Sequence, residues 1–212
     1  MNDAQKIKTG TTCVAFLIKD GVIIAADRRT TAGFIVSDKT EKVYNLSKSI
    51  VGTTAGHAAD NQRLMRYMKG ELRLIEFKTE RTPRVIEAAM IINSAQFSGL
   101  RSMGSIMSIL LAGYDDKNGV SLYNLSPDGT IVTHDGYACD GSGSIYVKSI
   151  LDTEYRENLS EKEAIELLDK CFRASFKNDN ASGGGYISKI VNKMGIKEVS
   201  RKLIESKFIE EK

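Results

Sequence analysis

Residues 9–27, TGTTCVAFLIKDGVIIAAD, decide the fold. Apolar side chains run together or alternate along 11–18, and they return as a continuous run along 22–26. The link between the two runs contains Gly21, and glycine supplies the positive φ that a tight turn requires. The stretch therefore predicts two antiparallel strands that form a β-hairpin.

Beyond this hairpin, the sequence patterns group strands with strands and helices with helices. Ser160 and Glu163 have the spacing of a capping box, and Thr82 can cap a helix whose first turn contains Pro83. Helices are predicted at 58–77, from 82–83 onward, at 144–154, at 161–176 and, short and charged, at the end of the chain. Further strands are predicted at 34–36, 43–44, 49–55, 106–112, 120–125, 130–133, 186–191 and 197–200. This order favours an α+β layered domain over a parallel βαβ series.

The composition is that of one ordinary globular domain. The chain has 212 residues, 42% of them apolar and 27% charged, which excludes disordered, collagen-like and coiled-coil proteins. Its net charge of +3 argues against a dedicated nucleic-acid binder, and no apolar run approaches the ~20 residues that span a membrane. Cys13, Cys139 and Cys171 are too widely spaced to indicate a disulfide framework or a zinc site, and reduced thiols fit the cytoplasm.

Several common catalytic motifs are absent from the sequence. The only two histidines are His57, at a strand-to-helix junction, and His134, in a turn-rich segment, and both are interpreted as structural. No phosphate-binding Gly-x-x-x-x-Gly-Lys-Ser/Thr motif occurs, and Gly-Ser-Gly at 141–143 lacks the five-residue form of a serine nucleophile elbow. The sequence therefore indicates neither a histidine-based triad nor a nucleotide-binding loop.

A threonine at the start of the first strand is the remaining candidate nucleophile, and its hydroxyl needs a base before it can attack a carbonyl carbon. If the bond between Gly10 and Thr11 were cut, the freed α-amine would be that base, with a pKa of roughly 7.7–8.0 against about 10.4 for lysine. Residues 1–10 are polar and resemble an appendage more than a signal peptide. The alternative is that Thr11 and Thr12 are ordinary β-branched strand residues.

Seven short motifs favour the catalytic interpretation when they are read together. They are Thr-Gly-Thr-Thr at 9–12, Lys-Asp-Gly-Val at 19–22, Ala-Ala-Asp-Arg-Arg at 25–29, Thr-Ala-Gly at 54–56, Arg-Tyr-Met-Lys at 66–69, Asp-Gly-Ser-Gly-Ser at 140–144 and Asp-Asn-Ala-Ser-Gly-Gly at 179–184. In this order and spacing the sequence resembles the β subunits of the proteasome, especially the archaeal type, which are N-terminal-nucleophile hydrolases. The resemblance extends from about Thr9 to Ser200.

The resemblance implies a fold and a domain organisation. The expected fold is an α+β, four-layer α-β-β-α sandwich of two antiparallel sheets. Residues 1–10 would be a propeptide, removed by autocatalytic cleavage between Gly10 and Thr11 in a zymogen-like precursor. Residues 11–212 would then form a single catalytic domain.

The same resemblance implies roles for individual residues. Thr11 would be the nucleophile, and Asp27 and Lys42 would complete its active centre, because a lysine ammonium lowers the pKa of a nearby hydroxyl while an aspartate keeps that lysine charged. Lys42 is chosen over the alternative, Lys39, because Lys-Val-Tyr at 42–44 leads into an apolar strand as the family's lysine does, although the loop 30–41 would then differ by one residue in length. Gly56 would donate its backbone N–H to the oxyanion. Ser142, Asp179 and Ser182 would pack beside the nucleophile, and Thr30, Thr31, Thr40, Thr54 and Ala58 would line the substrate pocket.

The sequence departs from the family pattern at two places. The glycine run at 183–185 has one glycine more than expected, and His57 follows Gly56 where a smaller residue is commoner. Neither departure removes a catalytic group, although both can alter the local register.

The function implied is that of a threonine-type endopeptidase subunit that uses neither a metal nor an organic cofactor. It would act in the cytoplasm on unfolded polypeptides, inside a 28-subunit barrel of heptameric rings that it builds with proteasome α subunits and other β subunits, fed by a regulatory ATPase. Neither nucleic acid nor a membrane is an expected partner. Two alternatives are a ring subunit that assembles without cleaving and the related bacterial two-component protease subunit.

Overall fold

The structure, a computed structural model, describes residues 10–103 and 106–204. Residues 1–9 of the expected propeptide and the charged helix expected at the end of the chain lie outside these ranges. The strands are β1 Cys13–Ile18, β2 Gly21–Asp27, β3 Thr30–Thr31, β4 Ile35–Ser37, β5 Val43–Asn45, β6 Ile50–Gly56, β7 Met107–Asp115, β8 Gly119–Leu125, β9 Ile131–Thr133, β10 Tyr137–Asp140, β11 Tyr186–Asn192 and β12 Gly195–Lys202. The helices are α1 Ala58–Thr79, α2 Val85–Met103, α3 Ser144–Glu154 and α4 Glu161–Asn178.

The predicted hairpin is confirmed. β1 and β2 are antiparallel and in register from the pair Cys13 and Ala26 to the pair Ile18 and Gly21. Gly21 is required there by close packing, because a Cβ at this position would lie 2.4 Å from the carbonyl oxygen of Val191 on β11. The hairpin therefore fits against its neighbouring strand only with glycine at its turn.

Two antiparallel sheets of five strands form the centre of the fold. The first sheet has the strand order β10-β1-β2-β11-β12 and the second has the order β5-β6-β7-β8-β9. All pairings within both sheets are antiparallel. β3 and β4 form a separate two-stranded ribbon between β2 and β5 in the sequence.

Three layers of buried apolar side chains hold the sandwich together. One lies between the second sheet and helices α1 and α2, and it includes Ile50, Met68, Ile92 and Leu111. A second fills the space between the two sheets, and includes Ala15, Ile24, Val51 and Leu110. The third joins the first sheet to α3 and α4, and includes Phe16, Val147, Leu168 and Phe172. The expected four-layer α-β-β-α sandwich is therefore confirmed.

Two strands and one helix start differ from the sequence predictions. β3 and β10 were not predicted, because each is short and lies among residues typical of turns. α2 begins at Val85, after Pro83, and Thr82 is not its cap. The Asp115 carboxylate acts at this helix start instead, because its Oδ2 accepts a hydrogen bond from the Val85 N–H at 3.1 Å. The capping box of α4 is present as predicted, with Ser160 and Glu163 bonded to each other's backbone.

Candidate active site

The candidate nucleophile lies at one end of the sandwich, where strands of both sheets meet. Thr11 lies two residues before β1 and Asp27 is the last residue of β2, so both lie at one end of the first sheet. Lys42 lies directly before β5 and Gly56 is the last residue of β6, so both lie at one end of the second. Thr11, Asp27 and Lys42 are all buried. The site therefore occupies the junction between the two sheets.

The lysine joins the other two side chains. Lys42 Nζ donates to Thr11 Oγ1 at 2.9 Å and to Asp27 Oδ1 at 2.7 Å. Lys39, the alternative lysine, is exposed, and its backbone instead accepts a hydrogen bond from Arg28. Of the two lysines, the structure brings Lys42 to the threonine.

The carboxylate of Asp27 is surrounded by donors. Oδ1 accepts from Lys42 Nζ and from the Thr12 N–H at 3.1 Å, and Oδ2 accepts from the N–H groups of Arg29 and Gly183, both at 3.0 Å. Burial raises the pKa of Asp27, while the charge of Lys42 and these hydrogen bonds act in the opposite direction. These donors and the charge of Lys42 therefore limit the rise in pKa that burial causes.

A second group of polar side chains holds the backbone nitrogen of Thr11. The Thr11 N–H donates to Ser142 Oγ at 3.2 Å. The hydroxyls of Ser142 and Ser182 both donate to Asp179 Oδ2, each at 2.6 Å. The structure thus brings together the three residues expected beside the nucleophile, and Ser142 contacts the atom that would become the α-amine.

The residue before Thr11 is confined by its neighbours. Thr11 Oγ1 donates to the carbonyl oxygen of Gly10 at 2.6 Å, so the hydroxyl lies next to the bond expected to be cut. A Cβ on Gly10 would lie 1.8 Å from Cβ of Ala181 and 2.9 Å from Ser142 Oγ. Only glycine fits at this position without a shift of the surrounding chain.

An open cleft of about 360 Å³, including its mouth, lies against Thr11 and Lys42. It is lined by all five residues expected to form the substrate pocket, Thr30, Thr31, Thr40, Thr54 and Ala58. Gly56 also lines it, with a φ of +120°, and a Cβ there would lie 2.3 Å from the Ile106 carbonyl oxygen. Neither histidine lines the cleft, and the His57 ring instead faces Asp60 at 3.4 Å.

Sequence analysis missed several residues of the site. Asn61 and Gln62 line the cleft one turn of α1 beyond Ala58, so helical spacing from Ala58 could have identified both. Tyr44 and Arg29 also line it.

A buried hydroxyl cluster behind the site was also missed. Thr12 Oγ1 lies 2.5 Å from Ser175 Oγ and 2.7 Å from Ser182 Oγ. No local pattern indicates this cluster, because Ser175 lies on α4 and far from Thr12 in sequence.

Lys189 is another functional candidate that was missed. It is buried on β11, and its Nζ donates to the Val43 carbonyl oxygen at 3.3 Å and to Asn45 Oδ1 at 2.7 Å. Burial lowers the pKa of Lys189. Because Val43 follows Lys42, this bond ties the first sheet to the strand that begins directly after Lys42. A lone lysine in the apolar strand 186–191 was the available signal.

The additional glycine at 183–185 is accommodated beside the site. The Arg28 N–H is shared between the carbonyl oxygens of Gly183 and Gly185, at 3.0 and 3.1 Å. Gly184 and Gly185 have φ values of +72° and +90°, which favour glycine. The run therefore forms a local irregularity, and Gly183 still reaches Asp27.

In 10–103 and 106–204, no group of three or more His, Cys, Asp or Glu side chains has the arrangement needed to hold a metal ion. None of the helices in these ranges is long and apolar enough to cross a membrane.

The geometry described above agrees with a comparison of the sequence with known families. Residues 7–191 match the family described as "Proteasome subunit". The chain belongs to this family. The resemblance seen in the short motifs is thereby confirmed over most of the length.

Proteasome β subunits of archaea are similar to the chain over most of both sequences. The chain is 34% identical to proteasome subunit beta 2 of Aeropyrum pernix, over 92% of the chain and 88% of that protein. It is 33% identical to proteasome subunit beta of Ferroglobus placidus, over 85% and 86% respectively. For proteasome subunit beta of Methanopyrus kandleri, the identity is 31% over 97% of the chain and 98% of that protein. The chain is thus a member of the proteasome β subunit family.

Proposed function

We propose that the chain is a catalytic β subunit of a proteasome core particle, a threonine-type endopeptidase whose nucleophile is Thr11 Oγ1. The observation that carries this proposal is the position of Lys42 Nζ, within hydrogen-bond distance of both Thr11 Oγ1 and Asp27 Oδ1. A nucleophile, a basic side chain and a group that orients that base are the parts that covalent catalysis requires.

The first reaction is removal of residues 1–10. Thr11 Oγ1 adds to the carbonyl carbon of Gly10, and Lys42 can take the hydroxyl proton as it passes one to Asp27. The bond between that carbon and the Thr11 nitrogen then breaks as the nitrogen gains a proton, which leaves an ester on Thr11 Oγ1. Water hydrolyses the ester and releases the leader as a carboxylate. The products are a free hydroxyl and a free α-amine on Thr11.

Turnover of other peptides uses the same oxygen with the new amine beside it. An α-amine has a pKa of roughly 7.7–8.0, so a large fraction of it is neutral near pH 8 and can act as a base. Ser142 already contacts this nitrogen at 3.2 Å and is itself bonded to Asp179, which would orient the amine. The Gly56 N–H would stabilise the oxyanion. Peptide cleavage passes through an ester on Thr11, which water hydrolyses.

A ring subunit that assembles without cleaving is the second candidate. It predicts that one or more of the catalytic groups would be missing or out of reach. Thr11, Asp27 and Lys42 are instead all present and mutually bonded, which supports the catalytic role.

Assembly and partners follow from family membership as part of the same proposal. The chain would form rings with proteasome β and α subunits, in the cytoplasm, and a regulatory ATPase would deliver unfolded polypeptides. The domain of 212 residues is too small to enclose its own nucleophile, so enclosure has to come from the ring. We therefore expect the isolated chain to be inactive and the assembled particle to be active.

The test is co-expression with a proteasome α subunit, followed by separation of monomer from particle by size. Intact mass would show loss of residues 1–10 in the particle alone, and a fluorogenic peptide would be hydrolysed by the particle alone. Thr11→Ala should assemble, keep residues 1–10 and lack activity. An active Thr11→Ala particle, or an active monomer that still begins at Met1, would overturn the mechanism.

A further inference from the structure

Lys189 occupies a position in β11 where the pattern of the strand predicts an apolar side chain. Side chains alternate along a strand, so Ile187, Lys189 and Val191 lie on one face of the first sheet. Ile187 and Val191 belong to the apolar layer between the two sheets, and so does Ile24, the residue opposite Lys189 on β2. The Lys189 side chain therefore enters the space between the sheets.

Within that space, the Lys189 ammonium bridges to the second sheet. Its Nζ donates to the Val43 carbonyl oxygen at 3.3 Å and to Asn45 Oδ1 at 2.7 Å, and these are the first and last residues of β5. Both acceptors are neutral. Burial lowers the pKa of Lys189, although the charges of Glu41 and Glu198 oppose this effect. A methionine would fill the same space without removing a charge from water, so packing alone does not account for a lysine here.

β5 is a short strand at an edge of the second sheet. It is three residues long, and β6 is its one partner among the described strands. Glu41 lies on the other side of Lys42, and its side chain is 48% exposed. It pairs with Arg28 at 3.9 Å and with Arg201 at 2.5 Å, but pairs with so exposed a partner contribute little. The buried ammonium of Lys189 is therefore a firmer link between β5 and the first sheet.

The position of β5 matters because Lys42 reaches across the same junction. Its backbone lies directly before β5, at the second sheet, whereas its Nζ bonds to Thr11 Oγ1 and Asp27 Oδ1 at the first. A displacement of about 1 Å between reacting groups can cost about a hundredfold in rate, even when its cause lies away from the reacting atoms. A shift of β5 relative to the first sheet would therefore move the Lys42 ammonium away from the hydroxyl of Thr11.

We propose that Lys189 is a positioning residue, which holds β5 against the first sheet and thereby sets the distance between Lys42 Nζ and Thr11 Oγ1. It does not line the cleft, and it acts through its bonds to Val43 and Asn45. The inference rests on the proposed function, because it takes Lys42 as the base that serves Thr11. It predicts slower chemistry and unchanged substrate binding when the bridge is removed.

Lys189→Met has nearly the same length and removes the donor. In the assembled particle, we expect kcat for a fluorogenic peptide to fall by about tenfold or more, with KM changed by less than about twofold. Loss of residues 1–10 should slow by a similar factor, because it uses the same hydroxyl and lysine and needs no bound peptide. Intact mass would follow that loss after the separately purified chain and α subunit are mixed. Lys197→Met, at an exposed lysine of the adjacent strand β12, is the matched control and should behave as the wild type in both assays.

A double-mutant cycle distinguishes positioning from a general loss of stability. Asn45→Ala removes the acceptor at 2.7 Å and should lower kcat by a smaller factor. If Lys189 acts through this bond, the double variant should be no slower than Lys189→Met alone. Effects that multiply would show that the two residues act independently, which would overturn the inference. Because Asn45 is exposed, Asn45→Ala provides the test if Lys189→Met does not assemble, and an unchanged kcat would then overturn the inference.

The results that bear on the inference differ from those that bear on the proposed function. Wild-type hydrolysis with an equal kcat in Lys189→Met would overturn the inference and leave the function standing. A raised KM with an unchanged kcat would also overturn the inference, because Lys189 would then shape the cleft. Absence of hydrolysis by the wild-type particle would overturn the proposed function, and the inference with it.

Discussion

Asp27 Oδ1 and Lys42 Nζ lie 2.7 Å apart at the junction of the two sheets, and their side chains are 0% and 7% exposed. An ion pair removed from water in this way is costly to break, because the remaining partner stays buried without its counter-charge. The pair therefore links the stability of the fold to the chemistry of the site, and a change in one partner affects both.

Replacing Asp27 with asparagine should reduce activity and stability together. Asp27→Asn leaves Lys42 buried beside a neutral amide, so we expect at least a hundredfold loss of kcat and a loss of about 3–5 kcal/mol in the free energy of unfolding. Peptide hydrolysis and urea unfolding measure the two effects. Asp152→Asn is the control, since its pair with Lys148 is exposed and contributes little to stability. Equal effects in both variants would contradict the buried pair's role.

Lys42 and Lys39 can be separated by one comparison. Lys42→Ala removes the one side-chain donor to Thr11 Oγ1 found among residues 10–103 and 106–204, so we expect it to retain residues 1–10 and to lose turnover. Lys39→Ala removes an exposed side chain and should mature and cleave like the wild type. Intact mass measures loss of residues 1–10, and a peptide assay measures turnover. If Lys39→Ala failed in both and Lys42→Ala in neither, the catalytic role would be assigned to Lys39.

Gly10 should be required for removal of the leader. Gly10→Ala places a Cβ 1.8 Å from that of Ala181, which displaces the bond next to Thr11 Oγ1. We expect cleavage of the leader to slow by at least tenfold, as followed by mass spectrometry over time. Ala181→Gly in the same chain removes the opposing Cβ and should restore part of the rate. Normal maturation of Gly10→Ala alone would show that this contact does not exist in the precursor.

The cleft should prefer uncharged side chains before the cut. Its predicted lining, including Thr31, Thr54 and Ala58, carries no charge, and an unpaired lysine or aspartate there would cost several kcal/mol. Fluorogenic peptides ending in Leu or Tyr should therefore be cleaved at least tenfold faster than those ending in Arg or Asp. Faster cleavage after Arg or Asp would mean that this cleft is not the pocket, or that a neighbouring subunit supplies a charge.

Acid should inactivate the particle before it unfolds it. Burial raises the pKa of Asp27 above 3.8, so the group binds a proton more readily in the folded than in the unfolded chain. Activity needs the ionised form, because protonation of Asp27 would leave Lys42 without its counter-charge. We expect activity to fall reversibly on acidification at a pH above 3.8, with an unchanged circular dichroism spectrum. Simultaneous loss of both signals would contradict this order.

The strands and helices with strong periodic patterns were predictable from the sequence, whereas contacts between distant segments were not. The hairpin β1–β2 and the capping box of α4 depend on neighbouring residues, so their patterns are visible locally. The start of α2 depends on Asp115, thirty positions further on, and β10 depends on its partner β1. Neither leaves a local pattern.

The candidate site divides in the same way. The family resemblance predicted Thr11 and Asp27 from short motifs that contain them, and Lys42 from its place before an apolar strand. Asn61 and Lys189 have no such motif, and their relation to the site is set by packing of α1 and β11 against other elements. Only the three-dimensional structure shows that Asn61 lines the cleft and that Lys189 is bonded to the strand that follows Lys42.

Because Thr11 and Asp27 are supplied by one sheet and Lys42 by the other, the reactive centre does not exist in a chain that has formed only half of its sandwich. Self-cleavage under the proposed mechanism then acts as a proofreading step for folding. A misfolded copy would keep its leader, so Thr11 would lack a free α-amine and the copy could not cleave other chains. Under this mechanism, the ability to cleave other chains would arise only in copies that had already folded completely.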